Sequence, residues 1–123
     1  MLKLLSVQQN EIQTEDHYII NNELDDLLNK ELVELFLKAN DCIDDENFIE
    51  AVEFYDLILK IDPKYSMALA YNGLSLGELG NLTESISCFK KALSIDEHCT
   101  LAQISKDTAQ ELLKSINSNS KKL

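Results

Sequence analysis

The chain has 123 residues, with 22 acidic side chains, 11 lysines and no arginine, for a net charge of -11 and a pI near 4.4. That balance argues against nucleic acid and against anionic membrane surfaces as partners, because both require a basic face. With 45% hydrophobic residues, one Pro and three Gly, the composition suits one domain of packed helices and is too poor in turn formers for a β sandwich.

The charge is unevenly placed. Between Glu11 and Asp62 there are 16 acids against Lys30, Lys38 and Lys60, while the remainder is close to balanced. Two readings stand: a surface that meets a basic partner, or a solvated acidic surface that keeps the chain apart from its neighbours. Three cysteines, Cys42, Cys88 and Cys99, form no disulfide framework and suit a reducing compartment. The apolar run within Met1–Asn10 is too short for a signal peptide and no later run approaches a transmembrane length, so a cytoplasmic location is expected.

Residues 1–21 form an N-terminal arm without a clean period. A short helix, a flexible arm and an arm docked on the rest of the chain all remain open. Asn22 can cap a helix whose first turn holds Glu23, Asp25 and Asp26, and whose apolar positions from Leu24 to Ile43 keep the helical period. Asp45-Glu46 reads as a turn. Asn47 with Glu50 predicts a capping box for a second helix, with Phe48, Ala51, Val52, Tyr55, Ile58 and Leu59 on its buried face. Asp62-Pro63 ends that helix, and proline suits the first position of the next. The third helix is expected over 63–79, with Gly80 just past its end. Asn81 with Glu84 predicts a second capping box. The fourth helix then runs to about Ile95. Asp96 can cap a fifth helix to about Ile116, striped by Leu101, Ile104, Ala109, Leu112, Leu113 and Ile116, followed by a frayed polar tail at 117–123.

The second helix occurs twice. A shift of 34 residues lays Asn81, Leu82, Glu84, Ser85, Phe89, Ala92 and Asp96 on Asn47, Phe48, Glu50, Ala51, Tyr55, Ile58 and Asp62. A period of that length marks a stack of helix pairs. The first unit places Leu35, Ala39, Cys42, Phe48, Ala51, Tyr55, Ile58 and Pro63 where the second places Leu69, Gly73, Leu76, Leu82, Ser85, Phe89, Ala92 and Glu97. These residues resemble the tetratricopeptide repeat, a 34-residue helix-turn-helix with small residues at the close approaches and an aromatic four residues after the small residue of its second helix. Ser85 in place of Ala, Glu97 in place of Pro and a non-aromatic first position depart mildly from that pattern.

The resemblance implies an all-α, right-handed superhelix of antiparallel helix pairs. Its repeats would lie at about 32–65 and 66–99 within a domain spanning 22–116, with a capping helix at about 97–116. It also implies a non-catalytic protein-protein interaction module, an adaptor or assembly factor, that binds a peptide or helix in a concave groove. By position, the groove would be lined by Val33, Phe36, Asn40 and Ile43 of the first unit. Met67, Ala70, Tyr71, Leu74 and Glu78 of the second would follow, with Leu101, Ile104 and Thr108 of the capping helix. Such an apolar lining suits an amphipathic or apolar segment of a protein partner. The alternative is a structural module that self-associates, its groove filled by its own arm or by a second copy in a homodimer.

One subset of the family clamps a terminal carboxylate with Lys and Asn side chains. Asn40 matches one clamp position, but Phe36, Tyr71, Leu101 and Ser105 supply none of the charge-assisted donors the others require. The acidic turn at Asp41, Asp44, Asp45 and Glu46 lacks the spacing of a calcium loop, and Cys88, His98 and Cys99 lack a paired-cysteine spacing for zinc. No nucleophile-base pair, phosphate loop or paired catalytic carboxylates stands at a workable spacing, so neither catalysis nor a cofactor is expected.

Overall fold

The computed structural model describes the backbone of residues 2–122 and the side chains of residues 22–119. Five helices follow in order: α1 (Leu2–Asp44), α2 (Phe48–Ile61), α3 (Ser66–Glu78), α4 (Leu82–Ile95) and α5 (Thr100–Lys122). No strand occurs among the described residues. The chain divides into two compact units, 1–33 and 34–123. The first is the leading part of α1, and docking of side chains at 1–21 lies outside the described residues. The second holds the end of α1 and all of α2–α5.

Helix α1 does not begin at Asn22. It passes through Asn21-Asn22 without a break, and no Pro or Gly precedes them to stop it. At the other end of the chain, α5 continues past Ile116 to Lys122. The polar residues there lack an apolar stripe but contain no breaker either.

In the second unit α3 packs between α2 and α4, and α5 packs on α4 and touches α3. The core is built from small and large residues set against each other. Ala39, Ala51, Ala68, Ala70, Ala92 and Ala102 are fully buried, as are Tyr55 and Ile58, and Phe89 is nearly so. Small residues let helix backbones approach, and the two aromatic rings fill the space left beside them.

The joints repeat with the same period. After α1, the N–H of Glu46 donates to Ile43 O at 2.9 Å and that of Asn47 to Cys42 O at 2.8 Å. After α3, the N–H of Gly80 donates to Gly77 O at 3.0 Å and that of Asn81 to Leu76 O at 2.9 Å. Both pairs are Schellman closures, which place one residue in the left-handed region. Gly80 sits there at φ 86 and Glu46 at φ 58. A side chain at such a φ costs about 1 kcal/mol that glycine does not. Glu46→Gly is therefore expected to raise stability by about 1 kcal/mol, read as a higher urea midpoint at unchanged slope. A lower midpoint would contradict it.

The Asn47 backbone N–H is committed to that closure, so Glu50 cannot accept it as in a standard capping box. Instead Asn47 Oδ1 accepts the Glu50 N–H at 3.3 Å, and its Nδ2 donates to Glu50 Oε2 at 2.7 Å. Asn81 has nearly the same backbone angles but makes no side-chain cap.

The Asp-Pro joint differs from expectation. Asp62 is extended, as the residue before proline should be, but its carboxylate accepts the Lys64 N–H at 3.0 Å. That Asx turn keeps Pro63 outside the helix, and α3 starts only at Ser66. Asp96 repeats the device, accepting the His98 N–H at 3.1 Å, and α5 starts at Thr100. Asp96 is thus a turn residue rather than the cap of α5.

Candidate functional site

Gly73 of α3 meets Ser85 and Phe89 of α4 at a close helix crossing. Ser85 Oγ donates to the Gly73 carbonyl at 2.5 Å, which accounts for a hydroxyl where the first unit has Ala51. A carbonyl oxygen has two lone pairs, so this bond does not displace the helical one. A cleft of about 200 Å³ opens along this crossing. It takes Leu74 and Glu78 from α3, Leu82 and Phe89 from α4, and Ile104, Thr108 and Leu112 from α5. Gly73 and Gly77 also border it, and their missing side chains leave it open. Ile104 and Leu112 are 61% and 50% exposed, and Glu78 is exposed beside them. The cleft thus combines apolar surface with one carboxylate.

Four of the residues expected to line a groove meet here: Leu74, Glu78, Ile104 and Thr108. Thr108 is partly engaged, its hydroxyl donating to Ile104 O at 2.9 Å. Ala70 is fully buried in the core and presents nothing for a partner to touch. Leu101 is half-buried against the same core. Met67 is exposed and Ile43 half-buried, neither bordering the cleft. Val33 belongs to the first unit and is half exposed.

Phe36, Asn40 and Tyr71 gather around Tyr55 instead. The Phe36 ring lies 6.0 Å from Tyr55 and 5.6 Å from Tyr71, both edge-on, and 5.6 Å from Tyr65. Tyr55 and Tyr71 stack at 6.2 Å. Asn40 Oδ1 accepts the Tyr55 hydroxyl at 2.5 Å, so that oxygen anchors a core ring. Sequence reasoning missed the α4 residues Leu82 and Phe89, which it assigned to packing alone, and Leu112. The spacing of four through Ile104, Thr108 and Leu112 was the available signal for the last.

Burial pushes the Tyr55 phenol above its ordinary value of 10.0, and Tyr71, Cys42 and Asp44 add to the shift. Burial likewise raises the Cys88 thiol, with Lys91 opposing it and Asp56 and Glu84 assisting. For Cys42 the causes are burial, then Glu50, Asp45 and Asp41. In each case the neutral form is the one the fold accommodates. The Tyr55 contribution to stability is complete below pH 10 and is lost as pH rises beyond it, because only the unfolded chain then ionises freely. At neutral pH wild type should exceed Tyr55→Phe by about 1 kcal/mol, the worth of one hydrogen bond. Above pH 10 that gap should close; thermal melts of both proteins from pH 7 to 11 test it, and a constant gap would contradict it.

His98 is solvent-exposed, 3.4 Å from Glu97 Oε1, whereas Cys99 is buried. No cluster of three or more His, Cys, Asp or Glu able to hold a metal occurs among the described residues. No helix among them is long and apolar enough to cross a membrane.

Comparison with known proteins adds to this geometry. A family model of the tetratricopeptide repeat matches residues 73–99, the span from the close-approach glycine to the turn before α5. Among solved structures, the TPR2AB-domain:pHSP90 complex of yeast Sti1 matches with a TM-score of 0.68 and 25% identity, over 72% of this chain and 34% of that one. The chain therefore spans about a third of the length of that relative. No curated protein matches it in sequence. Two units 34 residues apart share their closures and turns, the second matches the tetratricopeptide-repeat model, and the fold recurs in a tetratricopeptide-repeat domain, so this chain has an all-α fold of the tetratricopeptide-repeat type with one repeat matched at 73–99.

Proposed function

We propose that the protein is a non-catalytic adaptor that receives an amphipathic, basic-flanked segment of a partner protein in the cleft between α3, α4 and α5. The observation that carries this reading is the composition of the cleft. Leu74, Ile104 and Leu112 offer apolar area, and Glu78 is its one charged side chain. An apolar stripe would bury against the first three, and a lysine or arginine beside it would meet Glu78. The Sti1 complex, whose partner is pHSP90, supports a protein or peptide as the partner.

A terminal carboxylate fits this chain poorly. Phe36 and Tyr71 are engaged with each other, Asn40 Oδ1 holds Tyr55, and Leu101 and Ser105 carry no charge. A carboxylate brought here would also meet Glu78 without a paired cation among the cleft residues.

Fluorescence anisotropy with three labelled peptides tests the proposal. The first is a helical peptide with leucines at i, i+3, i+4 and i+7 and flanking lysines. The second has glutamates in place of those lysines, and the third is an acidic peptide with a free C-terminal carboxylate. Binding is expected in that order of strength. Preference for the third, or no binding by the first, would overturn the proposal.

A further inference from the structure

A second cleft, of about 640 Å³, lies between α4 and α5. It is bordered by Thr83, Ile86 and Lys90 of α4 and by Leu113, Lys114 and Asn117 of α5, and its only charged residues are the two lysines. In a protein of net charge -11, this is a locally cationic site with an apolar component. Lys90 is exposed, and Lys114 has only a solvent-exposed contact with Glu111 at 3.9 Å, which holds it weakly.

The first unit presents a surface of complementary chemistry. Leu24, Leu27 and Leu28 are 52%, 64% and 45% exposed. At 100° per residue they share one face of α1 with Glu23 and Glu31, and Lys30 stands at its edge beside Glu23 and Leu27. The stripe from Leu24 to Glu31 is two turns long, about 11 Å at the helical rise. The cleft borders, Thr83 to Lys90 and Gln110 to Asn117, are two turns long as well. A leucine stripe bordered by Glu23 and Glu31, with Lys30 at its edge, thus has the same length as a cleft that holds Ile86, Leu113 and, as its only charges, two lysines.

We infer that α1 of one copy, through Leu24, Leu27 and Leu28, docks in the α4/α5 cleft of a second copy, with Glu23 and Glu31 meeting Lys90 and Lys114. The contact is heterologous: the surface given differs from the surface received. It lies apart from the α3/α4/α5 groove and does not depend on what that groove binds. The leucines supply most of the buried area, and the charges fix the register and discourage other pairings.

Sedimentation equilibrium on the full chain over a wide concentration range tests this, with Lys90→Glu/Lys114→Glu and Leu24→Glu/Leu27→Glu as variants. All four positions are exposed, and circular dichroism verifies that each variant is folded. Wild type is expected to gain mass with concentration. Each double variant should weaken association at least about tenfold, the effect of losing a buried apolar anchor or reversing a close charge pair. The two variants mixed should form a one-to-one pair, because one retains an intact helix stripe and the other an intact cleft. A strict monomer at all concentrations would overturn the inference. So would association that the lysine reversals leave unchanged. Failure of the mixture to pair would do so too, since it offers an intact stripe and an intact cleft to each other.

Discussion

Gly73→Ala is expected to lower stability by about 2–3 kcal/mol, the upper part of the range for overpacking a core, and to reduce the melting temperature by roughly 10 °C on the usual scaling for a domain of this size. The added methyl carbon would stand 2.5 Å from Cε1, 2.8 Å from Cδ1 and 2.9 Å from Cζ of Phe89. These separations lie well inside contact distance. Phe89 is 1% exposed and packed in the core cluster, so displacing its ring disturbs its neighbours, and α3 cannot withdraw without breaking the Ser85 bond to the Gly73 carbonyl. Opposing this, alanine is favoured over glycine within a helix by about 1 kcal/mol. The clash is the larger effect. Shrinking the ring identifies the cause: Gly73→Ala combined with Phe89→Leu should be more stable than the sum of the single changes by about 1–3 kcal/mol, the coupling expected of residues in contact. Denaturant melts of the four proteins give the cycle. Additive losses, or a Gly73→Ala protein as stable as wild type, would show that the crossing is not set by this contact.

The second large effect concerns binding. Ile104→Glu should weaken the lysine-flanked peptide by about thirtyfold, equivalent to about 2 kcal/mol at one anchor residue. The substitution removes apolar area from the cleft and adds an acid to the site already holding Glu78. At 61% exposure Ile104 contributes little to the core, so the helical signal and melting temperature should hardly change. Leu74→Glu should weaken binding as much but also cost stability, because Leu74 packs against the core cluster. Ile49→Glu is the control. Ile49 is 65% exposed and lies outside the cleft, so affinity should be unchanged. Equal losses at Ile104 and Ile49 would mean that the peptide responds to overall charge rather than to the cleft.

Much of the fold was legible in the sequence because repeats announce themselves twice. Gly73 and Ala39, and Tyr55 and Phe89, stand at positions where local chemistry and the 34-residue period agree, whereas Asn81 opens α4 without the side-chain cap that Asn47 makes. The differences arise where local rules compete. Proline suits a helix start, but the Asp62 carboxylate captured the Lys64 N–H first and moved the start of α3 to Ser66. Asparagine suits a cap, but Asn22 had no breaker before it and stayed inside α1. The candidate site was legible only in part. Of the positions carried over from the resemblance, Leu74, Glu78, Ile104 and Thr108 border the candidate cleft. They did not reveal that Ala70 would be covered or that Asn40 would turn to Tyr55, because both depend on distances between helices that periodicity does not encode.

The two Schellman closures carry a consequence for how the molecule comes apart. In a stack of repeats each unit is stabilised by its own turns and by its immediate neighbours, so differences between joints become differences in local opening. The joint before α2 holds a glutamate at positive φ, whereas the joint before α4 holds a glycine. The α3–α4 pair also has α5 packed over it. The first hairpin is therefore expected to open before α3–α5, which would form the last cooperative block. The candidate cleft lies wholly within that block, so it is expected to outlast the loss of the first repeat.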